Sequence, residues 1–165
     1  MFNKQYGLES AVFKGDKTRT WRADKKPRYE VGEIVAIKQC YKDVCDYYRS
    51  KLNNKYLDYI ALYSGHAGWR NKMFVQNELM SHHIRITAVK KCRLQDLTDE
   101  ECIKEGIIKR IIRPFYKDVN AYCFYNSRLY ATPKQAFADL IGKLNGKDYW
   151  GINPDGYVYE FELVK

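Results

Sequence analysis

The run Tyr157-Val158-Tyr159-Glu160-Phe161-Glu162-Leu163-Val164 repeats with a period of two, so Tyr157, Tyr159, Phe161 and Leu163 face one way along an extended strand. Asn153-Pro154-Asp155-Gly156 supplies the turn before it. Extended segments also open the chain. In Gly15-Asp16-Lys17-Thr18-Arg19-Thr20-Trp21-Arg22, alternation puts Lys17, Arg19 and Trp21 on one side and Thr18, Thr20 and Arg22 on the other. Tyr29 to Gln39, with a turn at Gly32-Glu33, reads as a turn and a buried strand of the core sheet, because Val31, Ile34, Val35, Ala36 and Ile37 are apolar and largely β-branched. A further strand is expected where Ile84, Ile86 and Ala88 alternate with Arg85, Thr87 and Val89. Helices lie between. Thr98 and Glu101 form a capping box for a short helix ending at Gly106, and Thr132-Pro133 opens a second whose stripe Ala136, Phe137, Leu140, Ile141, Leu144 stops at Gly146. Strands and helices do not alternate, which argues against a doubly wound sheet and for an α+β fold around a twisted or barrel-like sheet.

A chain of 165 residues with 45% hydrophobic content suits a single domain, residues 1–165, with room for insertions. Insertions are expected near residues 40–77, a tyrosine-rich, irregular polar segment that reads as an insertion or long mobile loop, and near residues 109–130. No apolar run of membrane-spanning length and no apolar signal core is present, so the expectation is a cytoplasmic protein with no membrane partner. The five cysteines show no paired spacing and read as reduced, small apolar residues; no metal site and no cofactor are expected.

Charge narrows the ligand class. Lysine and arginine number 29 against 20 acids, a net charge of +9, and 15 tyrosines and 3 tryptophans are interleaved with them. Cations meet phosphates and aromatic faces stack on exposed bases, so RNA or a nucleotide leads; a solvated basic surface over a tyrosine-rich core stands beside that reading. Within Gly68-Trp69-Arg70-Asn71-Lys72, Trp69 and Lys72 could read a base, although a tryptophan beside Met73 and Phe74 also suits a core. His82-His83 at the edge of a strand suits solvent. Lys109, Arg110 and Arg113, set among Ile107, Ile108, Ile111 and Ile112, suit either phosphate contacts or a solvated rim.

The order Gly15-x-Lys17-Thr18-x-Thr20-x-Arg22, Val31-Gly32-Glu33-Ile34-Val35, the Ile86 to Val89 strand, the Leu94 to Gly106 segment with its Glu-Gly ending and the closing aromatic strand resembles the ASCH domain of the PUA superfamily. Gly68-Trp69-x-Asn71-Lys72-Met73-Phe74-Val75, the Leu94 to Glu100 run and Pro133-Lys134-Gln135-Ala136-Phe137 resemble ASCH-like proteins of phages and integrated phage elements. The resemblance implies a PUA-like twisted β-barrel with short flanking helices and a cleft lined by the Lys-Thr-x-Thr strand, used for RNA or modified nucleobases. One branch of that family removes the acetyl group from N4-acetylcytidine with a lysine, a threonine and a glutamate. Those residues correspond to Lys17, Thr20 and Glu105, with Arg22 matching the following arginine.

Two functions follow as expectations. A binding module would hold RNA or a modified nucleoside or nucleotide with Lys17, Arg19, Trp21, Arg22, Trp69 and Lys72. An amidohydrolase would use Lys17 to activate Thr20, with Glu105 passing a proton to the leaving amine. Regular alternation would separate Lys17 from Thr20, so the enzyme requires an irregularity in the backbone there. A protein partner engaged through the insertions is a third, weaker reading.

Overall fold

The computed structural model describes residues 2–164, whose contacts divide into two units. One holds residues 34–84 with residues 2 and 164; the other holds residues 3–33 and 85–163. In chain order the elements are α1 (Leu8–Lys14), β1 (Arg19–Arg22), β2 (Ile34–Ala36), α2 (Tyr41–Ser50), α3 (Lys55–Tyr63), β3 (His83–Arg93), α4 (Asp99–Lys104), β4 (Ile108–Ile112), β5 (Val119–Cys123), α5 (Pro133–Asn145), α6 (Tyr149–Ile152) and β6 (Asp155–Val164). Four strands form a curled antiparallel sheet in the order β1-β6-β3-β2, and β4 pairs with β5 in a separate two-stranded ribbon. The molecule is therefore mixed α+β, and the twisted barrel expected from the sequence is present as half of one.

In the unit of residues 3–33 and 85–163, β6 carries the core. Val158, Tyr159 and Phe161 are all buried, so this strand is covered on both faces, more than its polar alternation suggests. Its antiparallel register with β1 sets Thr20 opposite Tyr159, Trp21 opposite Val158 and Arg22 opposite Tyr157. The α5 helix starts as expected, with the Thr132 hydroxyl accepting from Gln135 N–H and Pro133 in the first turn, and it buries Ala136, Phe137, Leu140 and Ile141. Phe137, Leu140 and Ile141 each contribute about 1.5–3 kcal/mol of burial. Trp150 packs edge-on to Phe137, 6.3 Å between centroids. The capping box of α4 is also formed, Thr98 and Glu101 each accepting from the other's backbone N–H.

Of the two expectations for residues 40–77, an insertion or a long mobile loop, the loop does not hold: the stretch folds into helices within the unit of residues 34–84. Tyr41, Val44, Cys45 and Tyr48 fall on one face of α2 and Tyr56, Tyr59 and Tyr63 on one face of α3, and these pack with Val75 and Met80 into a core built largely of phenol rings. Tyr41 and Tyr63 approach to 4.4 Å and Tyr48 stacks on Tyr59 at 5.8 Å. Burial pushes the Tyr59 phenol up to about 12, and its hydroxyl donates to the Leu79 carbonyl. A second correction concerns β2. It sits at the end of the strand order, Ile34 is 54% exposed, and Val31 belongs to the turn before it rather than to a buried strand. His82 is also not simply solvent-facing: it is half-buried, its Nδ1 lies 3.2 Å from the Gln39 amide oxygen, and its ring meets Tyr47 edge-on at 4.7 Å.

Candidate functional site: a buried lysine and glutamate beside the first strand

Lys17 lies before β1, not on it. The α1 helix ends at Gly15 in a left-handed conformation (φ 80°), and the chain doubles back so that Lys17 N–H donates to the Ala11 carbonyl and Thr18 N–H to the Lys104 carbonyl at the end of α4. This brings the Lys17 ammonium onto Glu105. Its Nζ donates to the Glu105 backbone carbonyl at 2.6 Å and to Oε2 of the Glu105 side chain at 2.7 Å. Gly106, at φ 101°, closes the turn behind the glutamate; a Cβ there would stand 3.3 Å from Leu8 Cδ2 and 3.5 Å from Lys17 Cδ.

Burial dominates the electrostatics. Lys17 is 1% and Glu105 3% exposed. Desolvation holds the Lys17 ammonium below the usual lysine range; the Glu105 carboxylate opposes that shift and the charge of Arg22 adds to it. The second carboxylate oxygen, Glu105 Oε1, is buried without a hydrogen-bond partner among the described residues. Cys102, also buried in α4, has its thiol pushed up to about 12, first by burial and then by the Glu105 charge.

Thr20 and Arg22 occupy the other face of β1, both half-buried, on the side shared with Tyr157 and Tyr159. Tyr159 donates its hydroxyl to Asp24 Oδ2 at 3.0 Å and accepts from Arg28 N–H at 2.9 Å, while Tyr29 packs edge-on to its ring at 5.4 Å. Tyr159, tied to Asp24, Arg28 and Tyr29, therefore stands opposite Thr20.

Other residues proposed for ligand contact are used internally. Arg19 is buried and bridges Glu101 (2.5 Å) and Glu160 (2.8 Å), tying β1 to α4 and β6. Trp21 is 6% exposed; its indole N–H donates to the Cys92 carbonyl and its ring meets Tyr149 edge-on, so it has no free face for a base. Trp69 and Lys72 belong to the other unit, where Trp69 packs against the tyrosine core and Lys72 Nζ donates to the Phe2 carbonyl at 2.6 Å. Arg19 and Trp21, both expected to contact ligand, are thus buried in contacts with α4, β6 and the Cys92 carbonyl. Lys17, Glu105 and Arg22 remain electrostatically linked beside the strand that carries Thr20. Comparison of the chain with protein-family models, curated proteins and solved structures gives no match.

Proposed function

We propose that this chain is an ASCH-like, PUA-like domain that binds a modified nucleoside or nucleotide, free or within RNA, at the Lys17–Glu105 pair, with Arg22 as the adjoining cation. The observation that carries this reading is the partnerless Glu105 Oε1. A buried carboxylate oxygen left without a donor costs about 1–3 kcal/mol or more, and a base with an exocyclic amino group supplies the missing N–H. Lys17 holds the other oxygen and so fixes the carboxylate plane, and Thr20 and Arg22 lie half-buried on the neighbouring strand β1. Titration calorimetry with cytidine, N4-acetylcytidine and their 5′-monophosphates tests it. Glu105→Gln should weaken binding by roughly 10- to 150-fold, the worth of a charge-assisted hydrogen bond. Equal affinity in both proteins would sink the assignment.

The depressed pKa of Lys17 favours a second reading, hydrolysis of an N4-acylcytidine. A lysine held toward its neutral form can take the proton of Thr20 as that hydroxyl adds to the acyl carbon. The C–N bond then breaks, N4 leaves with a proton, and water releases the carboxylate from threonine. Because Lys17 precedes β1, strand alternation does not turn it away from Thr20. Incubation with N4-acetylcytidine should release cytidine and acetate from the wild type and from neither Lys17→Ala nor Thr20→Ala. Turnover that survives both substitutions removes the enzyme.

A further inference from the structure

The segment from Ile107 to Tyr130 carries five cations, Lys109, Arg110, Arg113, Lys117 and Arg128, against the single acid Asp118. That imbalance is concentrated on one element. In the β4–β5 ribbon, Lys109 stands opposite Tyr122, Arg110 opposite Ala121 and Ile111 opposite Asn120. Ala121 and Cys123 are buried on one face, while Lys109, Ile111 (70% exposed) and Asn120 are exposed on the other. Two of the cations have internal partners: Arg113 pairs with Asp118 at 2.7 Å, and Arg110 Nε lies 3.3 Å from Cys123 Sγ. Lys109 and Lys117 are exposed and have no carboxylate partner among the described residues, and Arg128 lies over the Tyr130 ring at 5.0 Å.

At the foot of the ribbon, where β5 runs into Phe124, opens a cavity of about 410 Å³ lined by Gln5, Tyr6, Phe124, Tyr125, Asn126 and Lys143. Tyr6 and Phe124 pack edge-on at 5.8 Å, and Gly7 lies so close that a Cβ on it would stand 2.7 Å from Tyr125 Cβ, which holds that wall in place. Tyr125 is 55% exposed. Aromatic walls with two carboxamides in the lining suit a single planar, hydrogen-bonding ring, and the exposed Lys109 on the ribbon and Lys117 beyond its far end suit successive phosphates of a strand laid along it.

We propose that the β4–β5 ribbon and this cavity form a binding surface for a single-stranded polynucleotide, with Lys109 and Lys117 on its phosphates and one unstacked base against Tyr125. Charge complementarity selects the polyanion, and the aromatic cavity selects a strand whose bases are free, because a duplex keeps its faces stacked. The proposal extends the nucleotide reading above to a polymer while drawing on none of its residues.

Fluorescence anisotropy with labelled oligouridylate, oligothymidylate and a duplex of equal length tests the surface across a salt series. The wild type should bind both single strands more tightly than the duplex; a preference for oligouridylate over oligothymidylate identifies RNA, and the reverse DNA. Loss of two phosphate contacts in Lys109→Gln/Lys117→Gln should lower the slope of log K against log salt by about 1.4. Tyr125→Ala should weaken binding roughly 5- to 150-fold. Glu105→Gln should leave the salt slope intact, and the double lysine variant should leave nucleoside titration intact, so this proposal and the one above fail separately. An unchanged slope in the double variant, a preference for the duplex, or no binding of either single strand overturns it.

Discussion

Lys17 places a positive charge where water has been removed, and a carboxylate together with a helix-end carbonyl hold it there. Removing one partner of such a pair costs about 3–5 kcal/mol, whereas replacing both by apolar groups is often neutral or stabilising. Lys17→Met alone should therefore lower denaturant stability by about that amount, and Lys17→Met/Glu105→Leu should recover most of it while losing nucleoside binding. A double variant no more stable than the single one would show that the pair is structural. pH supplies an independent reading. The folded pKa of Lys17 lies below its unfolded value of 10.5, so in the window between them the unfolded chain binds more protons and stability rises with pH. The stability of wild type relative to Lys17→Met, followed by urea unfolding, should increase as pH approaches 10.5 and level off above it. The residue types of this pair were legible in the sequence only through a family resemblance. Their contact joins positions 88 apart, and no local periodicity reports a pairing of that range.

Elements with a clear apolar period were legible: β6, α5 and the capping box of α4 lie where the sequence places them. The helices α2 and α3 were not, because their buried faces are made of tyrosine, which reads as polar until the rings are seen to pack on one another. The strand at Lys17 failed for a different reason. Alternation continues through Asp16 and Lys17 on paper, but hydrogen bonding to β6 begins at Thr18, whose carbonyl accepts from Phe161 N–H, and the residues before it are spent in the turn from α1. That turn meets the end of α4 at Gly106. Gly106→Ala introduces a Cβ at φ 101° against Leu8 and Lys17, so thermal unfolding should show a loss of more than about 1 kcal/mol. Thr98→Ala removes one half of the capping box and should cost about 1 kcal/mol without disturbing Lys17. Equal stability of Gly106→Ala and wild type would mean that the turn relaxes freely.

At the scale of the whole molecule, the chain leaves one unit after Glu33 and re-enters it at Arg85, and the flanking backbone is already paired: Gly32 N–H donates to the Ile86 carbonyl and Ile86 N–H to the Glu33 carbonyl. Replacing residues 34–84 by a short Asn-Gly turn should therefore leave residues 3–33 and 85–163 able to fold, with a single cooperative transition by circular dichroism. A product without such a transition would show that the tyrosine-cored unit is needed for folding. The position of β6 bears on timing instead. It lies between β1 and β3 although it is the last of the described strands, so in this sheet β1 and β3 are joined only once its residues are available. During synthesis both would emerge from the ribosome with open edges and wait for their shared neighbour, so an unpaired, association-prone edge persists until β6 is made.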